Sequence, residues 1–110
     1  MLKHALAALA VAAAGLTGSA YADEQMDRQI ATLAQSWDHA QFEERSNEAK
    51  LAAFQRLDTQ AEQLVRAYPN VAEPLVWQAI ILSSEAGAEG GLGALGKVTR
   101  ARDILLRAEQ

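Results

Sequence analysis

The run with the most chemical promise in this 110-residue sequence is Gly91-Leu92-Gly93-Ala94-Leu95-Gly96-Lys97. It fits G-x-x-x-x-G-K, in which glycine backbone N–H groups cradle phosphates and the lysine reaches the terminal ones. Nucleotide chemistry would also need a Ser or Thr after the lysine to hold Mg²⁺, and a strand before the loop. Val98 stands where that hydroxyl should be, Thr99 comes one residue late, and no strand-forming run precedes Gly91. Residues 87–96 are half glycine. They are therefore expected to form a flexible loop between two helices. Small-anion binding by free N–H groups near Lys97 is a secondary reading.

The other reactive residue types do not converge. His39 is the only histidine after residue 22, and with Asp38 and Glu43 it could be drawn as a metal site. Zinc needs three or four protein ligands, and there is no cysteine to add. An exposed histidine in the turn after the first helix is the expectation. Asp23-Glu24 and Glu43-Glu44 are acidic pairs. Such pairs do acid–base work only in a cleft that separates their pKa values, and these sit beside turns and helix starts. Ser83-Ser84 lacks a G-x-S-x-G context. Ser84 is expected to face a neighbouring helix or to bond back to its own backbone. No catalytic residue, metal or cofactor is expected.

Trp37, Trp77, Tyr68, Phe54 and Phe42 could line an aromatic groove. Four of them lie on helical stripes and read as core. Phe42, among Gln41, Glu43 and Glu44, fits a stripe least and is the expected exposed contact. The residues singled out for partner contact are Phe42, Trp77, Gly91, Leu92 and Lys97.

The N-terminus has its own logic. Lys3 and His4 precede an apolar run, Ala5 to Leu16, then Thr17-Gly18-Ser19 and an A-x-A site at Ala20-Tyr21-Ala22. This is the order of a cleavable secretory signal, so residues 1–22 are expected to be removed and the domain to begin at Asp23. The apolar run is shorter than the roughly 20 residues a bilayer span needs. No Arg-Arg pair precedes it, which argues against the twin-arginine route. Without cysteine there is neither a lipid-modified N-terminus nor a disulfide. The expected location is the periplasm of a Gram-negative bacterium.

Residues 23–110 carry 9 basic and 14 acidic side chains, a formal charge of −5. That balance argues against nucleic acid and against docking on anionic lipid, both of which need a basic surface. A chain of this size forms one domain.

Apolar periodicity predicts four helices and almost no strand. The first covers about Glu24 to Ala40, with Met26, Ile30, Leu33 and Trp37 on one face. The second carries Leu51, Phe54, Leu57, Ala61, Leu64 and Tyr68 in a stripe, with Ser46 or Asn47 as N-cap and Pro69 as its stop. Asp58 falls on its solvated side. The third, about Pro74 to Ala86, is apolar almost all round and should be central, with Gly87 as its cap. The fourth starts near Lys97 and puts Val98, Ala101, Ile104, Leu105 and Ala108 on one face.

From Tyr68-Pro69 to Ala108 the chain resembles a tetratricopeptide-type helical repeat, with Trp77 as the first-helix aromatic and Ala101, Leu105 and Ala108 as a small–large–small series. Ala61, Val65 and Tyr68-Pro69 resemble the end of a preceding unit. Glu73-Pro74-Leu75-Val76-Trp77, Ser83-Ser84-Glu85-Ala86-Gly87 and Gly90-Gly91-Leu92-Gly93-Ala94-Leu95 are similar to a group of small exported proteobacterial tetratricopeptide-like proteins. The match covers roughly the last half of the chain. It departs from the pattern in its long glycine segment and in the spacing from Pro69 to Trp77. The resemblance implies an all-α fold of antiparallel helical hairpins. It also implies that the last helix, with the chain stopping at Gln110 as in a truncated member, lacks the neighbour a further repeat would supply.

The expected function is a non-enzymatic protein–protein interaction module. The alternatives are a structural homo-oligomer built on the last helix, or a small-ligand or anion binder using loop 87–96.

Overall fold

The computed structural model describes the backbone of residues 2–110 and the side chains of residues 22–110. The signal-peptide reading of residues 1–22 rests on side chains that, Ala22 apart, lie outside the described residues. The fold is all-α: α1 (Leu2–Phe42), α2 (Asn47–Ala67), α3 (Ala72–Glu89) and α4 (Gly91–Ala108). There is no strand among the described residues. Among them, no helix is long and apolar enough to cross a membrane.

Consecutive helices run antiparallel. Asp58 and Val65 of α2 meet Gln78 and Leu75 of α3, so one index rises as the other falls. Glu85 and Leu75 of α3 likewise lie beside Lys97 and the Ala108 end of α4. Two apolar clusters share α2 and α3. Met26, Ile30, Leu33 and Ala40 of α1 pack with Phe54, Leu57, Ala61, Leu64 and Ile81. Val65, Leu75, Ala79 and Leu82 pack with Ala101 and Ile104 of α4. Full burial of each large side chain contributes about 1.5–3 kcal/mol. Alanines 40, 61, 79 and 101 are nearly inaccessible, which lets the helix axes approach closely. The third helix is central, as its all-round apolarity predicts.

Helix ends show where local signals operate. Ser46 caps α2, its Oγ accepting from Ala49 N–H at 3.0 Å. The expected first helix, Glu24 to Ala40, is longer at both ends. Pro74 lies two residues inside α3 rather than at its start, still within the first turn where N–H groups have no helical acceptor. It is fully buried.

The main correction concerns the glycine segment. Residues 87–89 complete α3, and α4 begins at Gly91, so the expected loop 87–96 reduces to Gly90 alone. Gly90 is the C-cap in place of Gly87. Its φ of 67° and ψ of −179° are accessible in practice only to glycine, and its N–H bonds Ala86 O at 3.0 Å. Each helical glycine costs about 1 kcal/mol relative to alanine. Packing of α4 on α3 offsets that cost, because most helix stability in proteins is tertiary. At Gly93 the missing side chain has a use: a Cβ there would lie 2.6 Å from Glu89 Oε1.

Candidate functional site

Two features stand out from the packed helices: an apolar groove and a charged seam. The groove, about 620 Å³, lies where the C-terminal end of α1 and the start of α2 meet one side of α3. Phe54, Ala79, Ile80 and Ala88 supply apolar surface, Leu105 reaches it from α4, and Gln41, Asn47 and Ser83 add polar groups. Lys50 is the only charged residue among its walls. The Trp37 indole N–H donates to Ser84 Oγ at 2.8 Å, and that hydroxyl donates in turn to Ile80 O at 3.0 Å. Ser84 therefore both faces a neighbouring helix and bonds back to its own. This relay fixes the Trp37 ring, which also meets Trp77 and Phe42 edge-on, each at 6.2 Å between centroids. Phe42 ends α1 with 71% of its surface exposed, in line with its poor fit to any stripe.

Of the five residues singled out for partner contact, only Phe42 lines the groove. Trp77 is half-buried against the core behind Trp37. Gly91 and Leu92 open α4, and Leu92 is exposed. Lys97 is turned inward. Its Nζ lies 2.5 Å from Glu89 Oε2 and 3.4 Å from Glu85 Oε2, so it is held by carboxylates rather than presented to a phosphate. The G-x-x-x-x-G-K run forms the first turns of α4, with Gly91 alone at a positive φ of 66°, and is not a phosphate-cradling loop.

The seam continues from Lys97 into the space between α2, α3 and α4. Asp58, expected on a solvated face, is half-buried there. Its carboxylate accepts from Gln78 Nε2 at 3.5 Å and lies 3.9 Å from Arg100 Nη1. Glu85 is 3% exposed, and its Oε1 has no hydrogen-bond partner. Burial raises the pKa of Glu85, and repulsion from Asp58 adds to it, against the opposing effect of Lys97. Burial likewise raises Asp58, outweighing Arg100 and Gln78. The hydrogen bond to Glu89 leads those that raise Lys97, against its own partial burial. Glu85 is almost inaccessible, and the seam of Asp58, Glu85, Lys97 and Arg100 reads as a clamp between helices.

Sequence reasoning missed Glu85. The signal was present: a carboxylate within a helix apolar on nearly every side is buried by default and needs a cation. His39 lies in the last turn of α1, exposed, paired with Glu43 and 3.9 Å from Glu44. Leu105, which the repeat resemblance makes the packed large residue, sits 43% exposed at the groove edge, and Ile104 is buried instead. No family model matches the chain, and no curated protein or solved structure matches it either.

Proposed function

We propose that this chain is an exported, non-catalytic helical-repeat module that binds a partner protein in the groove beside Trp37. The observation that carries this reading is the groove itself: apolar floor, a fixed tryptophan, and an exposed phenylalanine at its rim. Helix pairs of this kind take up peptides or helices along such grooves. An exposed aromatic beside a fixed apolar surface is the usual anchor of such contacts. The chain as a whole is acidic, yet the only charged wall residue is Lys50, which favours an apolar partner segment flanked by an acidic residue. The inward turn of Lys97 removes the main support for the anion-binding alternative.

Periplasmic location rests on the order of residues 1–22, and N-terminal sequencing of the exported chain tests it: Asp23 should come first. The function is tested by placing a photo-crosslinking amino acid at Phe42 in cells and, as a control, at exposed Arg66 on α2. A discrete adduct from position 42 that is absent from 66 and lost in the Ile80→Glu variant supports the groove. Equal capture from both positions, or none from 42, overturns it.

A further inference from the structure

The turn that folds α4 back along α3 is one residue long. Gly90 and the following Gly91 both have positive φ, 67° and 66°, in the region that favours glycine. The start of α4 has no side-chain cap. Of the N–H groups at this corner, that of Gly90 bonds Ala86 O, and those of Gly91, Leu92 and Gly93 meet no acceptor among the described residues. If the chain ran straight through residue 90, these three would bond the carbonyls of Gly87, Ala88 and Glu89 in ordinary helical fashion.

The buried face of α3 continues in phase into that of α4. Leu75, Ala79, Leu82 and Ala86 are buried along α3, and Ala101 and Ile104 along α4. The same steps of three and four residues lead on from Ala86 through Gly90, Gly93 and Lys97 to Ala101. One straight helix over residues 72–108 would therefore carry both faces as a single stripe. The pairing of the two helices is also centred on their junction. Glu85 and Lys97, 3.4 Å apart, each lie six residues from Gly91. Leu75 and Ala108, at the far end, lie sixteen and seventeen residues from it. Two straightened helices laid antiparallel about a two-fold axis at Gly91 face each other in this same register.

We infer that two copies of this chain exchange α4: the backbone straightens at Gly90, and the α4 of each copy docks on the α3 of the other. The contacts of α4 are then re-formed between chains. Ala101 and Ile104 join the other copy's Val65, Leu75, Ala79 and Leu82, Lys97 meets its Glu85 and Glu89, and Arg100 meets its Asp58. No core surface is exposed by the exchange. Two tight turns relax, and the three open N–H groups of each α4 gain carbonyl partners. Glycine at stripe positions 90 and 93 leaves no side chain in the way beside the axis. Lost freedom on association and the low helix propensity of glycine oppose the exchange, so concentration sets the balance between single chain and pair. Short hinges held under strain are where such swapping arises. The pair is isologous and closes at two. Leu105 of the second copy completes the groove beside Trp37, so the exchange holds or fails independently of what the groove binds.

The full chain is refolded from urea at roughly micromolar and roughly millimolar concentration, a span that brackets weak association, and its mass is read by light scattering. The expected result is a monomer at the lower concentration and a dimer fraction at the higher. Gly90→Ala strains the turn and suits the straight helix, so it should raise the association constant by about tenfold or more. Inserting Gly-Ser-Gly after Gly90 relaxes the turn without removing any residue, and should give a folded chain that stays monomeric. A wild type that is monomeric at the higher concentration, or an insertion variant that dimerises as readily as the wild type, overturns the inference. A carbodiimide, which joins Lys97 to Glu85 or Glu89 as an amide, separates exchange from surface association. In the exchanged pair the new bond links two chains; in the single chain it closes a loop within one. Mass spectrometry of the digested dimer fraction should show linked chains, and amides that only close loops within one chain overturn the exchange.

Discussion

The ammonium group of Lys97 lies 3.4 Å from a Glu85 carboxylate that is only 4% exposed, and the two residues belong to successive helices. A buried carboxylate without a cation is costly, so this contact binds α4 to α3 through what its loss would leave behind. Lys97→Met should therefore destabilise the fold by about 2–4 kcal/mol, a little less than a fully buried pair because Lys97 keeps some solvent contact. Adding Glu85→Gln to that variant should restore part of the loss. Urea unfolding followed by circular dichroism reads both. A Lys97→Met variant as stable as the wild type would return the lysine to the role of a free ligand-binding group.

The same seam sets a pH dependence. Asp58 and Glu85 have folded-state pKa values above their ordinary ones. Each prefers to be protonated in the fold. Their contribution is thus complete below the ordinary carboxylate pKa and is lost as pH rises through the raised folded values. Lys97 is also raised, so its contribution holds until strongly alkaline pH and is lost there. Melting temperature should increase as pH falls from neutral toward mildly acidic. The increase should be smaller in Glu85→Gln. An identical slope in the two proteins would show that Glu85 is not the titrating group.

Gly90 and its neighbours make opposite predictions. Gly90→Ala places a Cβ at φ 67° and ψ −179° and should cost about 1–3 kcal/mol, although nothing obstructs the new methyl group. Gly87→Ala and Gly96→Ala lie in helices with open space around them and should each stabilise by about 0.5–1 kcal/mol. Thermal melts of the three variants decide it. A melting temperature lowered by either of the two helical substitutions would contradict a helical backbone at residues 87 and 96.

Ser84→Ala removes the acceptor of the Trp37 indole N–H. The expected loss is about 1 kcal/mol, with a change in tryptophan emission as the ring loses its anchor. Ser83→Ala is the control. Its hydroxyl bonds only Ala79 O on its own helix, so a shift in emission there would be unexpected.

Much of the fold was legible in apolar spacing. Ile30, Leu33, Phe54, Leu57, Ala61, Leu64 and Ile104 are buried where periodicity puts them. The four-helix count and the central third helix follow from the same signal. Glycine misled, because local propensity carries no knowledge of a partner helix. The six residues from Gly91 to Gly96 read as loop in isolation and belong to α4 once Ala101 and Ile104 dock and Lys97 meets two carboxylates. Of the candidate site, Phe42 and Ser84 could be read from the chain. The groove could not, because its walls come from all four helices. Asp58 was misplaced for a related reason: a solvated face of α2 ceases to be one when Arg100 of α4 lies across it.

The one-residue turn at Gly90 also bears on how the chain finds its fold. It keeps the contacts between α3 and α4 close in sequence, and chain entropy rises with the length of loop that must be closed. The third and fourth helices are therefore the least entropically demanding pair to assemble, and a surface that forms from nearby residues forms early. The exposed leucines of α4, Leu92, Leu95 and Leu106, would then be displayed before α1 has docked. In a growing or refolding chain, association between copies would compete with completion of the core.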